Sequence, residues 1–169
     1  MADLARAPDR SLARRGHARG GGPVSEHLAF RLSTETFALP LVDVREILVP
    51  PLITLVPRAA RDVLGIVSVR GRLVTVIDLG MRLSLPRMEA GPQIGPKRAR
   101  VLLVEAESGE MMGLLVDEVL SVYRLGEREI EASSALGGNV AEHVTGIGRR
   151  DGAMLILLSL PLLLGLAAR

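Results

Sequence analysis

The stretch that decides the fold occurs twice in this chain: residues Gly65–Leu79 read GIVSVRGRLVTVIDL, and residues Gly146–Leu160 read GIGRRDGAMLILLSL. The two align without a gap. Each has a short strand-like arm, a turn at a second glycine and an aliphatic run, which is the pattern of a β-hairpin. A second pair, FALPLVD at Phe37–Asp43 and MMGLLVD at Met111–Asp117, occurs in the same order. We therefore interpret the repetition as an internal duplication rather than as chance similarity between aliphatic strands.

A duplication of this size predicts two similar small β-barrels with a cleft between them. The 169-residue chain is 48% hydrophobic but only 2% aromatic, so its core must be aliphatic. Branched Val and Ile side chains favour pleated sheet. The predicted fold is therefore mostly β with short helices. Two barrels with a cleft between them suit the binding of partners better than catalysis.

Local patterns predict several individual elements. Alternating apolar residues predict a strand at His27–Leu32, which forms a hairpin with a second strand at Phe37–Leu41. Pro40 cannot donate a ladder hydrogen bond, so we expect the second strand at a sheet edge or with a bulge there. Good helix formers after a proline predict a short helix over Pro57–Leu64, ended by Gly65.

Charge and composition divide the chain into a leader, residues 1–25, and a folded domain, residues 26–166. The leader carries five arginines and two aspartates, whereas the rest of the chain is nearly neutral. Its composition predicts disorder, with weak attraction to anionic membrane or nucleic acid as the alternative. A Pro/Gly-rich linker is expected near residues 86–98. No apolar stretch reaches the length of a membrane span, and the leader lacks the apolar segment of a secretory signal.

The usual signatures of catalysis and metal binding are missing. The chain has no cysteine, and its three histidines lack partners at ligand spacing. There is no nucleophile elbow, phosphate loop or dinucleotide fingerprint. The acids closest to the aliphatic strands are expected to bond backbone N–H groups in turns or caps: Asp43, Asp78 and Asp117. We predict no catalytic residue, no metal and no cofactor, and binding as the function.

Several of these motifs resemble one family in order and spacing. Val63–Leu79 resembles the most recognisable stretch of CheW, the chemotaxis coupling protein, with its Arg-Gly turn and closing Ile-Asp-Leu. Val44–Ile47 is similar to the family's Val-x-Glu-Ile strand, and Gly113–Val119 to its Gly-x-x-Val-Asp-x-Val. Gly146–Gly148 and Leu155–Leu157 resemble its C-terminal hairpin. The resemblance covers about residues 27–164.

The resemblance implies two SH3-like five-stranded barrels around a shared core. It also implies a non-catalytic adaptor between the cytoplasmic tip of a chemoreceptor and the regulatory domain of a CheA-type histidine kinase. In the family, receptors contact the groove between the barrels and kinases contact barrel ends. The implied location is cytoplasmic, at the inner membrane face, without membrane insertion or nucleic-acid binding. Alternatives are an adaptor in gliding, twitching or another chemosensory pathway, a small barrel-fold enzyme, or a nucleic-acid adaptor that uses the Arg-rich leader.

The resemblance also implies which residues bind partners. Carried over by motif position, the candidates are Val44, Glu46, Gly65, Arg70, Gly71, Val119 and Val122. Each has a structural alternative, because valines are commonly core residues and glycines commonly serve turns. Arg70 is the sharpest candidate, since the planar fork of an arginine at a turn tip suits carboxylate recognition.

Overall fold

The computed structural model of the chain describes residues 22–86, 97–133 and 139–165. Strands dominate these ranges, so the prediction of a mostly β fold is confirmed. The strands and helices are β1 (Val24–Leu32), β2 (Glu35–Pro40), β3 (Val44–Leu48), β4 (Val63–Val69), β5 (Arg72–Asp78), α1 (Leu79–Arg82), β6 (Arg100–Glu105), β7 (Met111–Val116), β8 (Glu118–Gly126), β9 (Ile130–Ala132), β10 (Val144–Arg150), β11 (Ala153–Leu158) and α2 (Leu160–Leu163). Short 3₁₀ turns occupy Leu41–Asp43, Glu127–Glu129 and Asn139–His143.

The strands form two sheets of the same design. Sheet A has the order β8-β1-β2-β11-β10-β9, and sheet B has the order β3-β6-β7-β5-β4. Each sheet contains one parallel pair at its centre, β2 with β11 and β5 with β7. A backbone bridge between Thr54 and Ile66 extends sheet B past β4, in the place that β9 takes beside β10. Two similar β subdomains are therefore present.

The similarity arises from two repeats that exchange their first hairpins. The first repeat runs from β1 to α1, and the second runs from β6 to α2. Hairpin β1–β2 joins the strands of the second repeat in sheet A, while hairpin β6–β7 joins those of the first repeat in sheet B. The two halves of the chain are thus interleaved, because each sheet contains strands from both halves.

Backbone geometry at the two repeated hairpins confirms the gapless alignment. Arg70 and Gly71 have φ of 50° and 78°, and Asp151 and Gly152 have φ of 50° and 77°. Positive φ at both central residues defines the type I′ turn, whose twist matches that of the flanking strands. Both pairs of strands also carry a register shift just before the first glycine of the motif. The two hairpins occupy equivalent positions in their sheets.

Two of the predicted carboxylate roles are present in the structure. Asp78 caps α1 by accepting from the Met81 backbone N at 3.0 Å, as the hydroxyl of Ser159 caps α2 in the second repeat. Asp117 accepts from the backbone N of Ser33 at 2.7 Å and so ties the β1–β2 turn to the start of β8. Asp43 ends the 3₁₀ turn before β3.

The second sequence pair is correct in its elements but one residue out of register. Phe37 of β2 lies opposite Ile156 of β11, which aligns with Thr75 of β5. Thr75 lies opposite Met112 rather than Met111. The equivalent of Phe37 is therefore Met112. Because successive side chains of a strand point to opposite faces, the one-residue error would place each side chain of the pair on the wrong face of its sheet.

A mainly aliphatic core, which also contains Phe30 and Phe37, lies between the sheets and joins the subdomains. Phe30, Leu39 and Ile156 of sheet A and Leu102 and Leu114 of sheet B belong to one buried cluster. The opposite face of each sheet encloses a smaller cluster of its own, around Leu125 in sheet A and around Val101 in sheet B. Each sheet thus has two apolar faces, one shared and one private.

The helix predicted over Pro57–Leu64 is wrong. Arg58 has a φ of 62°, which interrupts a right-handed helix, and the segment forms two separate turns instead. These turns are closed by hydrogen bonds from Ala59 N to Val56 O and from Val63 N to Ala60 O. Local helix propensity is a weak prior that tertiary context overrides.

Two other expectations need correction at the N-terminal hairpin. Strand β2 lies in the interior of sheet A, because it pairs with both β1 and β11. Pro40 is tolerated because it is the last residue of β2 and lies beyond the two residues that pair with β11. Strand β1 begins at Val24 and pairs Ser25 with Leu125, so the strand includes the last residues assigned to the leader. Residues 1–21 of the leader and 87–96 of the linker lie outside the described residues.

Candidate functional site

Two predicted site residues meet at one end of sheet B. The Arg70 guanidinium, at the tip of the β4–β5 turn, donates from Nη2 to Oε1 of Glu46 on β3 at 2.9 Å. Strands β3 and β4 are the two edges of sheet B, so this ion pair joins the edges as the sheet curls. The Arg70 side chain is 78% exposed, and such pairs contribute little to stability. The pair directs one nitrogen of the guanidinium to Glu46 and leaves the rest of the fork exposed to solvent.

A depression with a volume of about 480 Å³ opens beside this pair. Its apolar floor consists of residues at the private core of sheet B: Val69, Val74, Leu103 and Met111. Its rim is charged and includes an Arg45–Glu105 ion pair of 3.1 Å and the exposed Arg72. We call this depression with its rim the sheet B mouth. An apolar floor inside a ring of both charge signs suits recognition of a folded partner.

The predicted valines lie on the two edge strands that flank the shared core. Val44 of β3 and Val119 of β8 are partly buried and pack against that core, so both have a structural role. Val122 of β8 is 46% exposed. Val44 pairs with Val104 of β6, and Val119 pairs with Phe30 of β1. Val44 and Val119 therefore occupy equivalent positions in the two sheets. Val122 therefore belongs to a surface at the border of the shared core.

The two predicted glycines act through the backbone. A Cβ at Gly65 would lie 2.2 Å from the carbonyl O of Thr54, and its φ is 150°. Gly65 thus permits the close approach that forms the Thr54–Ile66 bridge, and Gly146 permits the same approach of Glu131 in sheet A. A Cβ at Gly71 would meet nothing within 4 Å, so that glycine serves the type I′ turn alone.

The structure therefore places the seven predicted residues in three locations. Glu46, Arg70 and Gly71 come together at the sheet B mouth. Val119 and Val122 lie on sheet A, and Val44 lies on β3 beside the shared core. Gly65 lies inside β4, buried beneath the Thr54 bridge. A partner that contacted the sheet B mouth together with Val119 or Val122 would have to span the two sheets.

Sequence reasoning missed a set of exposed apolar residues on the sheet B subdomain. Leu52 is 93% exposed, Leu55 79% and Leu73 76%. Ile47, the β3 counterpart of Val122, is 44% exposed. Apolar residues in a β-rich chain are naturally assigned to the core. Because each sheet has an apolar face on both sides, alternation alone does not mark Leu73 as exposed.

Few titratable groups in the described ranges are perturbed. Burial lowers the pKa of His27 below its usual value, against a smaller opposing effect of a backbone hydrogen bond to Ser25. Burial raises the pKa of Asp43, with Arg45 opposing. Within residues 22–86, 97–133 and 139–165, no three His, Asp or Glu side chains are grouped to hold a metal ion. None of the helices described is long and apolar enough to cross a membrane.

The fold and these motifs agree with comparison to known sequences. The pattern of the family described as CheW-like domain matches residues 26–168. The chain belongs to the CheW-like family. The family comprises chemotaxis scaffold and adaptor proteins, so the predictions of this family and of a non-catalytic adaptor are confirmed.

Individual relatives cover most of the chain. It is 28% identical over 145 residues to chemotaxis protein CheW of Rhizobium meliloti, covering 85% of this chain and 88% of that protein. It is 30% identical over 146 residues to protein FrzA of Myxococcus xanthus, covering 86% and 84%. The crystal structure of scaffolding protein TtCheW from Thermoanaerobacter tengcongensis superposes with a TM-score of 0.73 at 29% identity, covering 83% of this chain and 92% of that one.

Proposed function

We propose that this CheW-like protein couples chemoreceptors to a CheA-type histidine kinase by binding the receptor's cytoplasmic tip and the kinase regulatory domain. The protein acts in the cytoplasm, held at the inner face of the membrane by the receptor. The alternative is the same coupling role in a motility or another chemosensory pathway, which the similarity to FrzA keeps open. Both versions require two protein-binding surfaces and no catalytic group.

The observation that carries this proposal is the sheet B mouth. The Glu46–Arg70 pair presents an exposed guanidinium beside an apolar floor, and the mouth lies at one end of a subdomain. We assign the kinase regulatory domain to this end. We assign the receptor tip to the border of the shared core, where Val122 and Ile47 are exposed on equivalent positions of the two edge strands.

The test is charge reversal at Arg70. Arg70→Glu removes the ion pair and places two carboxylates together, and reversing one partner of an interfacial charge pair costs roughly 2–5 kcal/mol of binding. Because Arg70 is exposed, the free energy of unfolding should change by no more than about 0.5 kcal/mol. Affinities for the kinase regulatory domain and for a receptor fragment from the same genome are measured separately by calorimetry.

The matched control is Arg149→Glu on β10, because Arg149 is also an exposed arginine in an ion pair, with Glu131 at 3.7 Å. We expect loss of kinase binding only for Arg70→Glu. Wild-type affinity for both partners in a folded Arg70→Glu protein would remove the sheet B mouth from the function. Repeating the measurement with every CheA-type kinase of that genome identifies the pathway.

A further inference from the structure

The candidate site is divided between two sheets whose contact is almost wholly aliphatic. The sheet B mouth holds Arg70, whereas Val119 and Val122 belong to sheet A. The hydrophobic effect is non-directional, whereas a hydrogen bond has a preferred distance and angle. A polar contact between the subdomains is therefore the natural means of fixing their relative orientation.

Arg82 makes such a contact. It is the last residue of α1, which follows β5 of sheet B, and its Nη1 donates to the backbone O of Leu163 at 3.1 Å. Leu163 ends α2, which follows β11 of sheet A. Asp62 pairs with the Nε of the same guanidinium, and the Arg82 and Asp62 side chains are only 26% and 18% exposed. The carboxylate orients the fork so that its other nitrogen reaches across to α2.

Comparison of the repeats shows that this contact is additional to the shared fold. The residues aligned with Asp62 and Arg82 in the second repeat are His143 and Leu163. His143 Nδ1 lies 3.2 Å from Leu162 O, inside its own repeat. The turns, helix caps and bulges that build each sheet occur in both repeats, whereas the arginine that crosses between the subdomains occurs in one.

A second polar link between the subdomains is more exposed. Arg98, which precedes β6, pairs with Glu118 at the start of β8 at 3.3 Å. The Arg98 side chain is 58% exposed, so solvent screens this pair more than it screens the Arg82 contact. Glu118 also pairs with Arg31 of its own sheet.

We propose that Arg82 is a positioning residue that fixes the orientation of sheet A relative to sheet B. It thereby sets the spacing between Ile47 on sheet B and Val122 on sheet A, the two positions assigned to the receptor tip. Without it, the two sheets sample several orientations across their aliphatic contact. This consequence for binding rests on the proposed function, but the effect on orientation does not.

The experiment measures the orientation directly in the full chain. The sequence has no cysteine, so Ser68→Cys on β4 and Met154→Cys on β11 place one spin label on each sheet at exposed positions. Double electron–electron resonance gives the distance distribution for the labelled parent, for Arg82→Met and for Arg82→Lys. The lysine can still pair with Asp62 but lacks the fork that reaches Leu163. The control is Arg61→Met, because Arg61 is exposed and lines the same surface depression as Asp62 and Arg82.

We expect a broader or displaced distribution for both Arg82 variants and the parent distribution for Arg61→Met. A role in stability alone would lower the unfolding midpoint without changing the distances of the folded protein. If both Arg82 variants keep the parent distribution, the proposal is overturned; if Arg82→Met does not fold, Arg82→Lys decides.

Binding provides the second measurement. A receptor fragment that contacts both sheets should bind the Arg82 variants roughly two- to thirtyfold more weakly, while the kinase regulatory domain at the sheet B mouth keeps its affinity. Equal affinity of the receptor fragment for parent and variants, despite altered distances, would overturn the link between orientation and binding. If the parent binds neither fragment, the proposed function fails, and the distance measurement still tests the role of Arg82.

Discussion

Gly65→Ala tests whether this glycine serves the fold or a partner. The added Cβ would lie 2.2 Å from the carbonyl O of Thr54, which is roughly 1 Å shorter than an ordinary carbon–oxygen contact. The clash is with backbone, so the 53–54 segment must move away from β4. Two hydrogen bonds would then break, Thr54 N to Ile66 O at 2.9 Å and Ile66 N to Thr54 O at 2.8 Å.

The magnitude follows from these contacts. Each backbone hydrogen bond contributes about 0.5–1.5 kcal/mol, and a non-glycine residue at an unfavourable φ costs about 1–2 kcal/mol. The free energy of unfolding should therefore fall by about 2–5 kcal/mol. Gly71→Ala is the matched control, because it shares the positive φ but meets nothing within 4 Å, so only the backbone cost of about 1–2 kcal/mol applies.

Urea denaturation followed by circular dichroism measures both changes, with the linear extrapolation applied at a common slope. Equal destabilisation by Gly65→Ala and Gly71→Ala would refute the argument that the Thr54 approach requires a glycine. If Gly65→Ala is stable yet fails to bind a partner, Gly65 is a binding residue and its structural interpretation is wrong.

Three other predictions concern pH and chain connectivity. Because burial lowers the pKa of His27, the unfolded chain binds more protons than the folded protein between that lowered pKa and 6.5. The free energy of unfolding should therefore fall as the pH drops through this window. His27→Gln should reduce this pH dependence, as measured by urea titrations at pH 7.5 and 5.5. Removal of residues 1–21 should leave the melting temperature unchanged. Removal of residues 1–25 also deletes Val24 and Ser25 of β1 and should lower it. Equal melting temperatures for the two deletions would show that the pairing of Val24 and Ser25 with β8 contributes nothing to stability. A protease site placed between residues 86 and 97 should give two fragments that co-elute in gel filtration, since each sheet contains strands from both; separate elution would contradict the exchanged-hairpin arrangement.

Local sequence features predicted the repeated frame because they depend on neighbouring residues. The Arg70-Gly71 turn needs two positive φ values, and a glycine after a turn-tolerant residue meets that need. Asp78 could be predicted as a cap because its carboxylate bonds three residues ahead. The Glu46–Arg70 contact could not be predicted from spacing, and only the family resemblance selected both residues.

The remaining features depend on partners distant in sequence. The parallel pairing of β2 with β11 follows from topology, and no pattern within Phe37–Leu41 specifies it. Alternation of apolar residues shows that a strand has two faces but not which residues on those faces are covered, so no sequence pattern marked Leu73 as exposed. The helix expected over Pro57–Leu64 failed for the same reason, since the pairing of Thr54 with Ile66 constrains the chain between them.

The exchanged hairpins also determine when this protein can fold during its synthesis. Ser25 of β1 contacts Leu125 of β8 across a sequence separation of 100 residues, and β2 must wait longer still for β11. The N-terminal hairpin therefore leaves the ribosome with both of its apolar faces uncovered, and it stays so until nearly all of the chain has been translated. Such distant pairing folds slowly and exposes strand edges to other nascent chains. Because of this interleaving, the protein depends on protection from aggregation throughout chain elongation, until β11 has been synthesised.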